Sequence, residues 1–506
     1  MPEVRPSTLL ILLATALCAC ATPPRPLPAA DTFAFANRLS WGANSASLRQ
    51  LETEGADAYL GHQLRPSPDA ELPPAVQSQV AALEISRKPM TVLASELEEQ
   101  RKTADAMGDE GQKKAAQQAY QQHMNQLARE TATRSLLRDL YSPQQLQEQM
   151  TWFWLNHFSV HQYKGPLRFM LADYEDRIRS HALGRFRDLL ELSSHHPAML
   201  VYLDNNQNAL GHLNENYARE LMELHTLGVN GGYSQHDVQE LARILTGLGV
   251  NLAGQPPHLK RDWQSQYWSR NLVEFNPARH DYGDKIFLGH PIRGRGSDEL
   301  EEVLDRLARH PATARFLSRK LALYFTGNAP SPVLLDRLAQ RYLSSDGQIG
   351  AVLQTLFESA EFRASLGKDF KDPVHYVVSA VRLAYDGKTI LNADPMLGWL
   401  NRMGEAFYGH TTPEGYPLTA SGWASPGQMN TRIEIAKTIG SGNAGLFRSA
   451  GPAPVERAAF PQLSNALYYR YWQASLGPAT RAALEQAQTP QEWNTFLLAS
   501  PEFMYR

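Results

Sequence analysis

A mainly α, multi-helix single domain with long structured loops and at most a small β-hairpin is the fold that this sequence predicts. Three observations predict it. Apolar residues recur at helical spacing along most of the 506 residues. Runs of alternating β-branched residues are nearly absent. Helix openings of the form cap-then-proline recur along the chain. At 43% hydrophobic the chain can bury a sizeable core.

The first element is a leader, MPEVRPSTLLILLATALCACATPP. Arg5 is followed by an apolar run, Leu9 to Leu17, that is too short to span a bilayer as a helix. Leu17-Cys18-Ala19-Cys20 resembles a bacterial lipobox, which makes 1–19 a signal peptide and Cys20 a lipidated anchor. The alternative is ordinary cleavage after an A-x-A-like site. Ala21 is not the aspartate of inner-membrane retention, so an outer-membrane destination is expected. Pro23, Pro24, Pro26 and Pro28 stiffen a tether over 20–32. At about 3 Å per residue, about ten proline-rich residues span roughly 30 Å. The domain then runs over 33–506, with a candidate sub-boundary near 300–310.

Within the domain, Asn44-Ser45 can cap a helix carrying Leu48 and Leu51. Residues 94–130 read as a long, mostly solvated helix or a broken pair, with Met107-Gly108 near the middle. Ser142-Pro143, His196-Pro197, His310-Pro311 and Asp372-Pro373 each look like a cap with proline in the first turn. Residues 250–300 carry aromatics and glycines without a helical period, which reads as a long structured loop, and 408–430 is similar. Ala322-Leu323-Tyr324-Phe325 leading to Phe362 is echoed by Ala466-Leu467-Tyr468-Tyr469 leading to Phe503, as two helix pairs each ending in a docked phenylalanine would be.

Composition excludes several function classes. A net charge of −3 with both signs interspersed gives no basic field for nucleic acid. The two cysteines, Cys18 and Cys20, lie in the leader, so the domain has no disulfide, catalytic thiol or thiolate metal site. There is no HExxH, Walker A loop, GxSxG elbow, GxGxxG, CxxCH or EF-hand pattern. No cofactor is implied, and no metal site is expected.

A set of motifs carries a family resemblance. These are WFWLNHFSV at 152–160, IRSHALGRFRDLL at 178–190, HPAMLVYLDN at 196–205, and NENYARELMELHTLGVNGGYSQHDVQELARILTG at 214–247. HDYGDKIFLG follows at 280–289, HPATARFLSRKL at 310–321 and SPEF at 500–503. Together they resemble the bacterial family catalogued as domain of unknown function 1800, over nearly all of residues 36–506; the stretch 94–130 matches least. The resemblance implies an exported, helical protein. It also implies an exported companion of alkaline-phosphatase-like character, encoded nearby. It carries over no reaction and no catalytic residue.

The longest motif can be read physically. With Asn214 as cap and about 100° per residue, Glu215, Asn216, Arg219, Glu220 and Glu223 share an arc of roughly 140°. Tyr217, Ala218, Leu221, Met222 and Leu224 lie opposite, with His225 on the apolar side. Arg219 can pair with Glu215 and Glu223, and Asn216 can contact Glu220. Such an arc can be a solvated face, a buried ion-pair network or a functional carboxylate site. We expect Arg219 to be buried, since the apolar side alone suffices to dock the helix. Glu220 lacks an i,i+4 cation and is the carboxylate freest for chemistry.

His157 and His161 have metal-ligand spacing, but their aromatic setting favours a core histidine. His280-Asp281, followed by Lys285, can be an acid/base pair or a ligand set; the competing reading is a turn in which Asp281 accepts backbone amides.

Two functions follow. In one, Glu215, Glu220 and Glu223 work with His157 or His280 to hydrolyse or lyse an envelope or extracellular polymer, with Arg219, Asn216, Asp281 and Lys285 binding it. In the other, a non-catalytic assembly lipoprotein meets its exported partner through aromatics around 263–268 and 408–423. Both rest on the anchor. Cys20→Ser is expected to abolish metabolic labelling with a fatty acid and to release the domain from the membrane fraction. Labelling that survives the change refutes it.

Overall fold

The helix Gln145–His157 is buried along its whole length save for Leu155, which is partly covered. A helix hidden on every side lies inside a protein rather than on it, and the others gather around this one. Helices Ala56–Leu64, Glu110–Tyr141 and Leu171–His181 pack directly on it. The computed structural model describes residues 29–67, 69–448 and 460–506. The leader with Cys18 and Cys20 lies outside them. Helix makes up 61% of the described residues, and strand is confined to small antiparallel sheets. The first helix, Ala29–Arg38, begins inside the stretch expected to be tether.

The local signals act as the sequence suggests. Asn44 Oδ1 accepts from the Ser47 N–H at 3.0 Å, and Ser47 Oγ accepts from the Asn44 N–H at 3.0 Å, a reciprocal capping box. His196 and His310 each cap through Nδ1, which accepts from the N–H two residues on, at 3.2 and 3.1 Å. Asp372 accepts from His375 N at 2.7 Å. Ser142-Pro143 differs. Ser142 Oγ takes the Gln144 N–H at 3.1 Å, and the helix begins at Gln145. The stretch 94–130 is a broken pair, Met90–Asp105 and Glu110–Tyr141, with Asp109 capping the second member. Phe362 and Phe503 are both docked in the core.

Residues 250–300 hold more strand than one hairpin. Val273–Phe275 pairs antiparallel with both Leu248–Val250 and Trp268–Arg270, so Phe275 faces Leu248 on one side and Trp268 on the other. A separate hairpin joins Lys285–Phe287 to His290–Ile292. Its turn residues, Leu288 and Gly289, have φ of +50° and +75°. That twist suits a two-residue hairpin turn, and glycine adopts it without strain. These strands are three residues each, too short for alternation to register in the sequence.

A buried cation cluster ties distant segments together. Arg38 is fully buried; it donates to the carbonyls of Phe325, Ser365 and Arg506, and to Ser365 Oγ at 3.1 Å. Burial lowers it to about 9, so it remains a cation at neutral pH. Arg506 donates to Asp369 Oδ2 at 2.7 Å, Gln149 Oε1 at 3.2 Å and the Tyr324 carbonyl at 2.7 Å. Removing one partner of a buried pair leaves the other charge without compensation. Arg506→Ala is therefore expected to lower the unfolding free energy by about 3–5 kcal/mol, read by urea denaturation. A loss below about 1 kcal/mol, the range of exposed pairs, would show that this cluster does not hold the core.

Candidate carboxylate site

Two neighbouring side chains at the end of the central helix set the walls of the candidate site. His157 is buried, and its Nε2 donates to the His225 carbonyl at 3.1 Å. Its Nδ1 is then the acceptor for Lys320 Nζ at 2.9 Å. Burial, with the charge of Lys320 next, keeps His157 well below the usual histidine range, hence neutral. Burial also lowers Lys320 to about 8. His225 N donates in turn to the Glu220 carbonyl at 3.1 Å, so His157 clamps the C-terminal end of helix Asn216–Glu223.

Asn156 holds the opposite wall, the 408–423 loop. Its Nδ2 donates to the Tyr416 carbonyl at 3.0 Å, and its Oδ1 accepts from Tyr416 N at 2.6 Å. The intervening Gly415 has φ of +76°, and a Cβ there would come within 2.2 Å of the Asn156 carbonyl oxygen. Only glycine lets the loop approach this closely. The preceding residue, Glu414, is exposed, and its Oε1 accepts from Thr412 Oγ1 at 2.7 Å.

Helix Asn216–Glu223 itself is amphipathic as its sequence suggests. Tyr217, Ala218, Leu221 and Met222 are buried. Asn214 Oδ1 accepts from Asn216 N at 2.9 Å at the opening. Asn216 is exposed and donates to the Leu203 carbonyl at 3.2 Å rather than contacting Glu220. Arg219 makes both expected ion pairs, to Glu215 at 3.2 Å and Glu223 at 3.5 Å. Its side chain is 38% exposed, however, which overturns the expected burial. The apolar side carries the docking of the helix, which leaves the guanidinium partly open to solvent. Gln235 completes the network: it accepts from Arg219 at 2.8 Å and donates to Glu215 at 2.7 Å.

Glu220 stands apart from that network. It is half-buried, and its carboxyl has no hydrogen-bond or ion-pair partner among the described residues. Burial pushes it above the usual carboxylate range, and the charges of Glu223 and Glu414 add to the shift, while Arg219 opposes it. The Tyr202 hydroxyl is raised by burial and by the charges of Glu414 and Glu220. It donates to the Thr411 carbonyl at 3.1 Å, at the start of the Glu414 loop. Glu220, Glu223, Glu414 and Tyr202 thus share one neighbourhood. Burial and its acidic neighbours incline Glu220 to keep its proton, the property that a general acid uses.

The residues around His280 form a different assembly. His280 Nδ1 lies 2.7 Å from the Thr246 carbonyl, and its Nε2 lies 3.0 Å from Glu299 Oε1. Lys285 Nζ meets Glu299 Oε2 at 2.5 Å and donates to the Asp281 carbonyl. Glu299 Oε1 also accepts from the N–H groups of Arg295 and Gly296, at 2.7 and 2.9 Å. The side chains of His280, Lys285 and Glu299 are wholly buried. Burial alone would raise Glu299, but the hydrogen bonds from His280 and Lys285 outweigh it and hold it below the usual range. Asp281 makes the turn bond, accepting from Gly283 N at 2.8 Å, and a two-pronged ion pair with Arg243 at 2.8 and 3.2 Å. Those bonds, the Arg243 pair foremost, hold it below the usual range. This is a satisfied strut that shapes the 276–296 segment. Among the described residues, no hydrogen bond or ring contact joins this assembly to His157.

His161 bonds neither His157 nor a carboxylate, and among the described residues no group of three or more His, Cys, Asp or Glu could hold a metal. Of the aromatics expected to form a contact patch, Trp423 is buried, with Nε1 donating to the Pro417 carbonyl at 3.0 Å, and Trp263, Tyr267, Trp268 and Tyr416 are half-buried. Sequence reasoning missed Glu414, Tyr202 and Lys320. The glycine beside Glu414 was the one local signal, since nothing in the chain links 202, 220, 320 and 414 without the fold.

Residues 34–505 match the model of the family described as Protein of unknown function (DUF1800). The chain belongs to that family. The match includes the central helix, the carboxylate site and the His280 strut. Neither the curated proteins nor the solved structures contain a match. Among the described residues, no helix is long and apolar enough to cross a membrane. The exposure of Arg219 gives a direct expectation. Arg219→Ala should cost less than about 1 kcal/mol in thermal unfolding, as exposed ion pairs do. A cost of about 3 kcal/mol or more would mean that the face is covered.

Proposed function

We propose that this chain is a cell-envelope lipoprotein, anchored at Cys20, that hydrolyses a glycan-containing envelope or extracellular polymer with Glu220 as general acid. One observation carries the reading: Glu220 is half-buried, has no hydrogen-bond or ion-pair partner among the described residues, and feels the charges of Glu223 and Glu414. Glu223 is engaged by Arg219, which leaves Glu414 as the second working carboxylate. In the step proposed, Glu220 gives its proton to the leaving glycosidic oxygen as the C–O bond breaks. Glu414 takes a proton from the water whose oxygen bonds to the anomeric carbon. The Tyr202 hydroxyl and the Arg219 fork flank the site and supply hydrogen bonds to a sugar. His157 acts through position alone, because it clamps the helix that carries Glu220. The half-buried state of the 263–268 aromatics and the burial of Trp423 favour this reading over a non-catalytic contact patch.

The test uses purified peptidoglycan sacculi and extracted envelope polysaccharide, with released reducing ends as the readout. The wild-type chain is expected to release them. Glu220→Gln is expected to lose roughly a hundredfold or more of that rate while its Tm stays that of wild type. A wild type that releases nothing from either polymer, or a Glu220→Gln chain as active as wild type, overturns the proposal.

A further inference from the structure

A second concavity lies elsewhere in the molecule, and none of its lining residues belongs to the carboxylate site. It is bounded by helices Ser45–Glu54 and Ala56–Leu64 and by the ends of helices Glu110–Tyr141 and Pro373–Ala384. Its volume is about 330 Å³, within the range of small-molecule pockets. Leu140, Val381 and Tyr385 give it apolar walls.

Two donor atoms in these walls, Arg382 Nη2 and the Tyr59 hydroxyl, lack hydrogen-bond partners among the described residues. Arg382 is 6% exposed. Its Nε donates to the Gly42 carbonyl at 2.8 Å, and its Nη1 to the carbonyls of Asp139, at 3.4 Å, and Leu140. Nη2 makes no hydrogen bond to the protein, and no carboxylate lies within ion-pair distance among the described residues. Burial lowers the group to about 10, so it is a cation at neutral pH. The nearby Asp386 uses Oδ2 to accept from Ser45 N at 3.1 Å. Tyr59 is 1% exposed, and its hydroxyl has no hydrogen-bond partner among the described residues. Burial pushes it up to about 12, so it is an O–H donor at any physiological pH. A buried guanidinium with a nitrogen left unbonded and a buried hydroxyl without an acceptor are both unfavourable unless something else satisfies them.

We infer that this cavity binds a small monocarboxylate with an apolar body. The carboxylate accepts from Arg382 Nη2 and the Tyr59 hydroxyl, and the body lies against Leu140, Val381 and Tyr385. Arg49 and Lys388 line the same cavity with Asp386, so its walls carry more positive than negative charge and favour an anion. Charge-assisted bonds from a fork held by carbonyls on its other edges make this the strongest recognition the cavity offers.

The test is titration of the full chain with benzoate and with benzamide, its uncharged counterpart of the same shape, followed by calorimetry and saturation-transfer NMR. Benzoate is expected to bind saturably and at least about tenfold more tightly than benzamide. Tyr59→Phe is expected to weaken benzoate about three- to tenfold at unchanged Tm. If the two probes bind alike, or benzoate does not saturate by roughly 10 mM, or Tyr59→Phe binds benzoate as wild type does, the assignment is overturned. Should Tyr59→Phe lower the Tm, the benzoate–benzamide contrast on the wild type decides alone.

Discussion

Burying a helix on every side obliges each of its polar side chains to find a partner, and the helix Gln145–His157 meets that demand by reaching into nearly every other part of the protein. Gln145 accepts from Trp41 N at 3.1 Å and donates to the carbonyls of Asp139 and Ser142. Glu148 takes a two-pronged bond from Arg179, at 2.6 Å to Oε1 and 2.9 Å to Oε2. Gln149 meets Arg506 and the Arg38 carbonyl, and Trp154 Nε1 donates to the Ala182 carbonyl at 2.8 Å. Each bond individually contributes little net stability, but each would be costly to leave unmade. The helix therefore acts as an address system: a segment docks correctly only if it brings the matching group.

The same constraint places the carboxylate site. Asn156 and His157 are consecutive, so they diverge by about 100° around the helix. One is thereby directed to the Tyr416 loop and the other to His225. The distance between Glu220 and Glu414 is consequently set by the rigid end of a buried helix, although one of the two sits on a loop. Sites held this way keep their geometry better than sites built from loops alone. The His280 strut follows the opposite logic. Every polar atom of Glu299 is committed, to a lysine, a histidine and two backbone amides. A group with no unspent capacity shapes a loop well but has little left for a substrate.

The buried arginines show how far this fold relies on polar interior contacts. Arg38, Arg382 and Arg432 lie inside with carbonyl oxygens as their main partners, and Arg432 also stacks over Phe370 and Tyr376, at 4.6 and 4.9 Å. Guanidinium tolerates such surroundings better than ammonium because it is weakly hydrated and planar. Without disulfides in the domain, the bonds of Arg38 and Arg382 join segments hundreds of residues apart, and they complement an apolar core that runs from Phe33 to Met504.

What the sequence alone determined was local. The helical class, the caps at Asn44, His196, His310 and Asp372, and the buried side of Tyr217, Ala218, Leu221 and Met222 all follow from periodicity and short-range hydrogen bonding. Those forces act within a few residues and leave a pattern in the chain. The short strands of 248–292 escaped it because three residues are too few to show a period. The tertiary structure decided everything that depends on what packs over a side chain. It left Arg219 half-exposed, because the polar side of an amphipathic helix looks the same in sequence whether or not another element covers it. It spent His280 and Lys285 on Glu299, and it brought Glu414 and Tyr202 to Glu220. Environment sets whether a carboxyl holds its proton, and environment here is supplied by residues that the chain order keeps far apart.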